Sequence, residues 1–453
     1  MAHLFTTTRP LPALAESARL RYATFMALYF AQGVPAGVLS FAIPAWLAMH
    51  GKTPAQIAAY SAMALLPWSL KLVVAPLIER FAYLPMGRRR PWLLAGQCGL
   101  MLSFAGLALV PDPLHHLALL TAAVVVVQTF TVFQDVATDS LTIDIVPPEQ
   151  QGRANSLMWG AKTVGIAASL AAGSWLLRRY GFGVAMLAPA GFIGLISLVP
   201  LLLRERPGEK RLPWTAGTAS PAAARLQSES WAALFRAARR VFALRNSLLV
   251  VPAVFTAQLC QNYLDTSLPI FTVQQLGWTD GQYAQVYSTA SLLGGLVGML
   301  AGGWLIGRLG TTRLVQGCLL LLGLLAATVG GGSALWPNPT FIMGFIGAFC
   351  LFNTLTYIGL LALAMQCCWP RISAVQFTLY MTVANVGAAT GTALVGVVRS
   401  HLPWAGTYLL VPLLLAPAVA LLGLVRLPAH TQQLAELERQ HSEQETPALR
   451  LAM

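Results

Sequence analysis

The sequence predicts an all-α membrane protein with twelve transmembrane helices, arranged as two similar halves of six. Of its 453 residues, 56% are hydrophobic and only 10% are charged, whereas soluble domains carry about 25% charged residues. Twelve stretches are long and apolar enough to be spans, each of which needs about 20 mostly apolar residues. A charged, proline-containing loop separates the first six stretches from the last six.

The predicted spans follow one another with short loops between them. In order, they occupy 22–48, 54–79, 91–110, 117–141, 153–177, 183–203, 247–275, 281–307, 313–333, 340–366, 374–399 and 404–426. Several loops contain turn-forming residues, such as PDPLHH at 111–116, RRYGFG at 178–183 and WPNP at 336–339. The predicted domains are an N-terminal tail, a six-helix half, a linker, a second half and a C-terminal tail, at 1–21, 22–203, 204–245, 246–426 and 427–453.

Basic residues are distributed unequally between the two sides of this arrangement. With the N-terminus in the cytoplasm, the outer loops keep only Lys52, Arg178, Arg179 and Arg399. Because basic loops stay on the cytoplasmic side, both termini are predicted to be cytoplasmic. The net charge of +13 therefore comes from loops. No soluble domain presents a basic face, so we expect the lipid bilayer and not nucleic acid as the partner.

The linker has two parts of different composition. Residues 204–224 are rich in Pro, Gly, Ala and charge, which is typical of a linker. Residues 229–244 place Trp231, Leu234, Phe235 and Phe242 near one helical face, with arginines on the others. This second part predicts an amphipathic helix that lies on the inner leaflet.

Charged and polar side chains are concentrated on the fourth predicted span. Gln128, Thr131, Asp135 and Asp139 recur at helical spacing and therefore share a face. Charges inside a membrane persist mainly where they pair, line a wet cavity or have a function. Two carboxylates about 6 Å apart on one helix repel each other, so this pair suits the uptake and release of a proton.

Lys71 on span 2 and Lys162 on span 5 are the only cations in the middle of predicted spans. Either lysine could form a structural ion pair with Asp135 or Asp139. Alternatively, a lysine in a cavity suits an anionic group of a ligand, such as a carboxylate. The residues leave both interpretations open.

The second half carries its own polar face. Gln261, Asn262 and Asp265 lie on the seventh span, which is the counterpart of the first span with its Gln32. Asp265 has no mid-span basic partner in its half, and an unpaired buried charge is costly. We therefore expect Asp265 to be protonated, to face a cavity or to pair with the first half. Asn353 on span 10 is a candidate for bonding a polar ligand, or for bonding between helices.

A basic cluster follows the second span, and further charges follow the fourth. These residues are predicted to hold one conformation through salt bridges that must break when it changes, and they are Glu79, Arg80, Arg88, Arg89, Arg90, Asp144 and Arg153. Glycine runs on spans 8 and 11 predict close helix packing, with gating flexibility as the alternative. The sequence contains no nucleotide-binding, hydrolase or metal motif, so no cofactor and no metal is expected.

Some of these segments resemble a known family. LIERFAYLPMGRRR at 77–90 and LIGRLGTTR at 305–313 are distant repeats. With two six-span halves, they resemble the major facilitator superfamily, whose substrate site lies near the midplane between the halves. The segment at 77–90 resembles the basic signature of that superfamily between spans 2 and 3, and Glu79 stands where the signature usually has Asp. LYFAQGVPAG (28–37) and FQDVATDSLTIDIVPPEQQGRANSLMWGAKTVG (133–165) resemble its AmpG-like muropeptide permease and acetyl-CoA transporter branch, which includes related siderophore permeases.

The resemblance implies a proton-coupled importer of a large polar anion in a bacterial inner membrane, and not an enzyme. The positions that match the branch are Lys71, Gln134, Asp135, Asp139 and Asp144. We expect a monomer that carries a small-molecule substrate, an anhydro-muropeptide, together with protons. The chain is shorter than typical muropeptide permeases, which favours an iron-siderophore as the rival substrate. A transport-inactive sensor or a membrane enzyme is the alternative from another class, but the sequence shows neither an output domain nor a mid-span nucleophile set.

Overall fold

The computed structural model describes residues 13–52, 54–227, 230–278 and 280–451, and every regular element within them is helical. Helices α1 to α7 are Ala18–Pro35, Ile43–Met49, Pro54–Leu65, Lys71–Arg80, Arg90–Leu107, Leu117–Ile145 and Pro148–Leu202. Helices α8 to α16 are Pro221–Leu226, Trp231–Phe242, Arg245–Ile270, Asp280–Leu309, Thr311–Gly331, Pro339–Gln366, Ser373–Arg399, Trp404–Leu424 and Leu427–Leu451. The predicted all-α class is confirmed.

Ten helical stretches within the described residues are long and apolar enough to cross a membrane. One of them is α7, which has 55 residues and covers the two predicted spans at 153–177 and 183–203. α5 coincides with the predicted span at 91–110 but is not among the ten. The class of polytopic membrane protein is confirmed, although this criterion does not reproduce a count of twelve.

Proline and glycine interrupt the long helices at specific positions. α1 ends at Pro35 and continues into a π-helical turn over Ala36–Ala42, and Pro269 near the end of α10 precedes a π-helical turn over Phe271–Gln275. Proline removes a backbone donor and clashes with the preceding turn, which disrupts regular α-helical bonding. The first span of each predicted half therefore carries the same interruption. Gly181, with φ 80° and ψ 178°, breaks α7 at the predicted loop.

The chain forms two compact units. The first comprises residues 1–146 and 164–227, and the second comprises residues 147–163 and 228–453. Leu39, Phe104 and Val124 are fully buried in the apolar core of the first unit. Ile358 and Ala362 are fully buried in a core of the second unit. The early part of α7 thus belongs to the second unit, and the predicted domain boundaries at 203 and 246 stay predictions.

Glycines on spans 8 and 11 allow helices to approach closely, as predicted. A Cβ atom on Gly387 or Gly391 would overlap a backbone carbonyl oxygen of α10, and one on Gly302 would lie 2.9 Å from Ser156 Oγ. Gly396 is an exception, because no atom lies within 4 Å of such a Cβ. Close approach at the first three positions requires the absence of a side chain.

α9 is amphipathic, and part of its apolar side packs on protein. Leu234, Ala237 and Val241 are buried against Trp369 and Ile372, which precede α14. Trp231 and Phe235 of the predicted apolar face are exposed, so the placement of this helix on the inner leaflet stays a prediction. An apolar stripe indicates that a helix face is covered, but it does not distinguish a lipid surface from a protein surface.

Candidate functional site

The polar face predicted on span 4 lies on α6 and is buried in the first unit. Gln134 and Thr138 have no exposed surface, and Asp135 and Asp139 are only 3% and 6% exposed. Carboxylates removed from water to this extent are costly unless other groups pair with them. Side chains from α1 and α4 supply these partners.

Asp135 lies between a cation and an amide. Its Oδ2 forms a salt bridge with Lys71 Nζ, and its Oδ1 accepts a hydrogen bond of 2.5 Å from Gln32 Nε2. Lys71 begins α4 directly after a 3-10 turn over Leu66–Leu70, which interrupts the second span. Lys71 Nζ also lies 4.7 Å from the centroid of the Trp68 ring. The structure thus contains one of the two ion pairs that the sequence predicted for Asp135.

Asp139 lies one turn further along α6 and contacts α1. The Tyr29 hydroxyl donates a hydrogen bond to Asp139 Oδ1. Gln134 Nε2 donates to the backbone carbonyl of Leu28 at 3.3 Å, and Gln32 Nε2 lies 3.4 Å from Gln134 Oε1. α1 therefore orients both carboxylates of α6 from residues spaced about one helical turn apart.

Two acceptors on this face have unused hydrogen-bonding capacity. Gln32 Oε1 and Gln128 Oε1 are buried and accept no hydrogen bond from any described residue. Such groups are uncommon in folded proteins, where water or a ligand usually satisfies them. The face can therefore bond a polar group beside the Lys71–Asp135 pair.

The second unit contains a similar pairing of carboxylate and tyrosine. Tyr287 of α11 donates a hydrogen bond of 2.5 Å to Asp265 Oδ1, and the Tyr283 ring lies 5.5 Å from the Tyr287 ring. The sequence left open whether Asp265 has a partner, and it did not indicate Tyr287. That contact depends on how α10 packs against α11, which helical spacing along one span does not reveal.

Two predicted amides of the second unit are hydrogen bonded to helix backbone. Gln261 Nε2 lies 3.5 Å from the Asn353 carbonyl oxygen, and Asn262 Nδ2 donates to the Gln258 carbonyl at 3.0 Å. These contacts tie the Gln261 side chain to α13 and the Asn262 side chain to the preceding turn of its own helix.

Lys162 lies on the part of α7 that belongs to the second unit. Its Nζ is 5.5 Å from the centroid of the Trp159 ring, and Trp159 packs on Tyr357 with 4.2 Å between ring centroids. The structure thus places this predicted site residue against an aromatic pair.

A buried charge cluster lies at the end of α4, in the first unit. Arg88 pairs with Glu79 at 3.2 Å and with Asp144 at 2.9 Å. Arg89 pairs with Asp144 at 3.0 Å and also with Glu79. None of the four side chains is exposed. Burial disfavours the charge of Arg89, but Asp144 and Glu79 outweigh this effect and raise its pKa, so Arg89 stays charged.

The other three predicted gating residues lie outside this cluster. The Arg80 carbonyl accepts a hydrogen bond of 2.7 Å from Gln227 Nε2, and the Arg80 guanidinium lies 5.5 Å from the centroid of the Phe81 ring. Arg153 belongs to the second unit and is exposed. Arg90 binds the linker. Its guanidinium donates to the carbonyls of Pro200, Leu201, Lys210 and Arg211 at 2.6 to 3.0 Å.

Residues 204–227, which we call the linker strap, are held by two glutamates that sequence reasoning missed. Glu205 Oε2 accepts hydrogen bonds from the backbone N–H groups of Arg89 and Arg90 at 3.0 and 3.3 Å. Glu209 accepts from the Arg206 N–H at 2.9 Å and from the Ser220 hydroxyl at 2.8 Å. Burial, with the nearby Glu205 carboxylate, raises the pKa of Glu209 to about 7. Glu205 and Glu209 are the only acids in 204–224, and this was the sequence feature that could have identified them.

Comparison with known proteins places this architecture among transporters. The sequence model of the Major Facilitator Superfamily matches residues 25–368. The chain is 25% identical to the anhydromuropeptide permease of Escherichia coli strain K12 over 411 residues, which cover 90% of this chain and 80% of that protein.

Solved structures of this superfamily share the fold. FucP, a superfamily transporter crystallised in the outward conformation, matches with a TM-score of 0.65 and 12% identity, covering 90% of this chain and 98% of FucP. The human organic anion transporter MFSD10 matches with a TM-score of 0.61 and 14% identity, covering 89% and 98% of the two chains.

The family match covers most of the chain, and the described helices include ten that are suited to cross a membrane. The resemblance seen in the sequence motifs is therefore confirmed, and so is the expectation that the protein is not an enzyme. The chain belongs to the major facilitator superfamily and is an integral membrane transporter.

Proposed function

We propose that this transporter imports an anhydro-muropeptide together with protons across a bacterial inner membrane. The observation that carries the proposal is the buried pair of Lys71 and Asp135, with Gln32 bonded to the second carboxylate oxygen. A muropeptide joins sugars to a short peptide, and its carboxylates are anionic at neutral pH. The similarity to an anhydromuropeptide permease over 90% of the chain supports this substrate.

The pair offers a direct way to couple a proton to an anion. While Asp135 is ionised, its carboxylate neutralises the Lys71 ammonium group, because Nζ and Oδ2 are in contact. When Asp135 takes up a proton, its attraction for Lys71 falls, and Nζ becomes available to a substrate carboxylate. Proton and anion then bind together more favourably than either binds alone, so the two cross the membrane in the same direction.

Asp139 is the second proton-binding group in this scheme. It lies one turn from Asp135, and the Tyr29 hydroxyl holds its Oδ1. Two nearby carboxylates disfavour double ionisation, so a proton on one of them stabilises the charge of the other. Gln32 and Gln128 have free buried acceptors, which suit the hydroxyl and amide donors of a sugar–peptide.

The charge cluster of Glu79, Arg88, Arg89 and Asp144 serves as the latch of the transport cycle. Superfamily transporters expose a midplane site to each side in turn, which requires that contacts stabilising one conformation break in the other. Two cations and two anions without solvent exposure are costly to separate unless water reaches them. The latch therefore favours one conformation until substrate and proton bind.

Uptake into right-side-out membrane vesicles tests this function. An inward proton gradient should accelerate the uptake of labelled anhydro-muropeptide, and a protonophore should abolish the acceleration. In Asp135→Asn, net uptake should lose its dependence on the gradient, while exchange of labelled for unlabelled substrate persists. Asp112→Asn is the matched control, because Asp112 is exposed and its carboxylate bonds to the exposed His115. If the protonophore leaves the rate of wild-type uptake unchanged, proton coupling is refuted.

Uptake of a labelled ferric siderophore tests the rival substrate. Vesicles that accumulate a ferric siderophore but no muropeptide would overturn the proposed substrate class. The protonophore arm of the same experiment would still report on coupling, so the two parts of the proposal fail separately.

A further inference from the structure

A polar cleft lies at the start of α12, in the second unit. Its volume is about 1000 Å³, and its lining includes Arg313, Arg426, Thr311, Gln366 and Glu149. Arg313 and Arg426 are exposed, and no described carboxylate forms a salt bridge with either. The cleft therefore holds two cations whose charge is available to a ligand.

Other groups in the cleft also lack partners. Thr311 is only 4% exposed and lines the cleft, yet its hydroxyl bonds to no described residue. Gln366 Oε1 is buried without a hydrogen bond, while its Nε2 donates to the Pro148 carbonyl. Thr311 is the first residue of the 21-residue helix α12, whose N-terminal N–H groups favour an anion. Two arginines, a hydroxyl and a helix N-terminus together match the chemistry of a phosphate group.

An apolar groove lies further along α12, where this helix packs against α15. α12 and α15 form a groove of about 480 Å³, lined by Leu319, Gly323, Pro412, Leu415 and Val419 among others. Leu319 is eight residues beyond Thr311, which corresponds to about 12 Å along a helix. Arg426 follows the end of α15 at Leu424. The polar cleft and the apolar groove therefore lie in line along one helix pair.

We propose that the α12–α15 pair binds one anionic phospholipid, with its phosphate in the cleft at Thr311, Arg313 and Arg426 and an acyl chain in the groove. A phospholipid satisfies both features, because its charge and its hydrocarbon are joined at about this spacing. A soluble phosphate would leave the groove unused, and a neutral lipid surface would not need two arginines. Glu149 and Gln366 Oε1 add acceptors that suit a headgroup with hydroxyl donors, such as that of phosphatidylglycerol.

Native mass spectrometry of the delipidated full-length transporter tests the proposal. The probes are phosphatidylglycerol, phosphatidylcholine with the same acyl chains, and inorganic phosphate. Phosphatidylglycerol should be retained in preference to phosphatidylcholine. Each basic side chain near a membrane surface contributes about a fivefold factor to such binding, so Arg313→Gln with Arg426→Gln should weaken retention roughly twentyfold. Arg308→Gln is the matched control, because Arg308 is exposed in the last turn of α11 but stacks on Trp304.

The acyl part is tested by filling the groove without changing charge. Ala416 is exposed and lines the groove, so Ala416→Leu should lower phosphatidylglycerol retention several-fold. Ala389→Leu, an exposed alanine of α14 that does not line the groove, should leave retention unchanged. Equal retention of both lipids, or displacement of phosphatidylglycerol by equimolar inorganic phosphate with no effect of Ala416→Leu, would overturn the proposal. All five substituted positions are exposed, and size-exclusion chromatography checks that each variant is folded.

Discussion

Lys71 and Asp135 are distant in the sequence but meet in a salt bridge whose side chains are only 11% and 5% exposed. The pair joins the start of α4 to the middle of α6. A buried ion pair is weak evidence for stability, because lost hydration offsets much of the attraction between the charges. Charged groups inside a membrane often line a transport pathway, so we expect this pair to matter for transport more than for stability, and the two effects can be measured separately.

Lys71→Met should destabilise the transporter by about 3 to 5 kcal/mol, because the Asp135 charge stays buried without its cation. The double variant Lys71→Met with Asp135→Leu should recover most of this stability, because no charge is then left unpaired. It should not recover muropeptide uptake. Thermal unfolding in detergent and vesicle uptake give the two readouts, and losses of stability that simply add in the double variant would contradict the pairing.

Tyr29→Phe removes the hydroxyl that bonds Asp139 and nothing else from the side chain. A hydrogen bond to a charged group contributes about 1.5 to 3 kcal/mol, so we expect uptake driven by a proton gradient to fall roughly tenfold or more. Tyr180→Phe is the control, because Tyr180 is exposed and its hydroxyl bonds to no described residue. A Tyr29→Phe transporter with normal gradient-driven uptake would remove Asp139 from the coupling scheme.

Arg90→Lys should release the linker strap. One guanidinium donates to four carbonyls on two segments, and a lysine ammonium cannot reproduce that fork of donors. We expect limited proteolysis within 204–227 to become faster, while the spans remain resistant. Arg225→Lys, an exchange at an exposed position of the strap itself, should leave the cleavage rate unchanged. Equal cleavage in both variants would show that Arg90 does not hold the strap.

Glu209 should make closure of the linker strap dependent on pH. The ordinary pKa of a glutamate is 4.5, and burial in the closed strap raises the pKa of Glu209 to about 7. Its contribution to closure is therefore fully present below pH 4.5 and is lost as pH rises through 7. Hydrogen–deuterium exchange of 204–220, corrected for intrinsic rates, should be faster at pH 8 than at pH 6.

Glu209→Gln provides the check on this assignment. The amide is neutral at every pH and resembles the protonated acid, so the strap of this variant should stay closed at pH 8. The neighbouring charged groups include Glu205, Arg206 and Arg90, which are present in both proteins. A pH dependence that persists unchanged in Glu209→Gln would assign the effect to one of them.

Much of the architecture could be predicted because the bilayer imposes a simple pattern. Long apolar stretches, polar breaks and the basic motif at 77–90 indicated the helical class and the superfamily, both of which are confirmed. The spacing of Asp135 and Asp139 also identified a shared face on α6. The amphipathic pattern of α9 did not reveal that Leu234 packs on Trp369 and Ile372, because such a pattern does not distinguish a protein surface from a lipid surface.

By itself, the sequence determined which charged residues lie within predicted spans and are costly there without a partner. They are Lys71, Asp135, Asp139, Lys162 and Asp265. That follows from hydration, which depends on residue type and depth and is therefore visible in one dimension. Only the tertiary structure decided the partners, such as Lys71 for Asp135 and Tyr287 for Asp265. Partner choice depends on which helices pack together and in what register. Those contacts are long-range, so no local pattern along a single span encodes them.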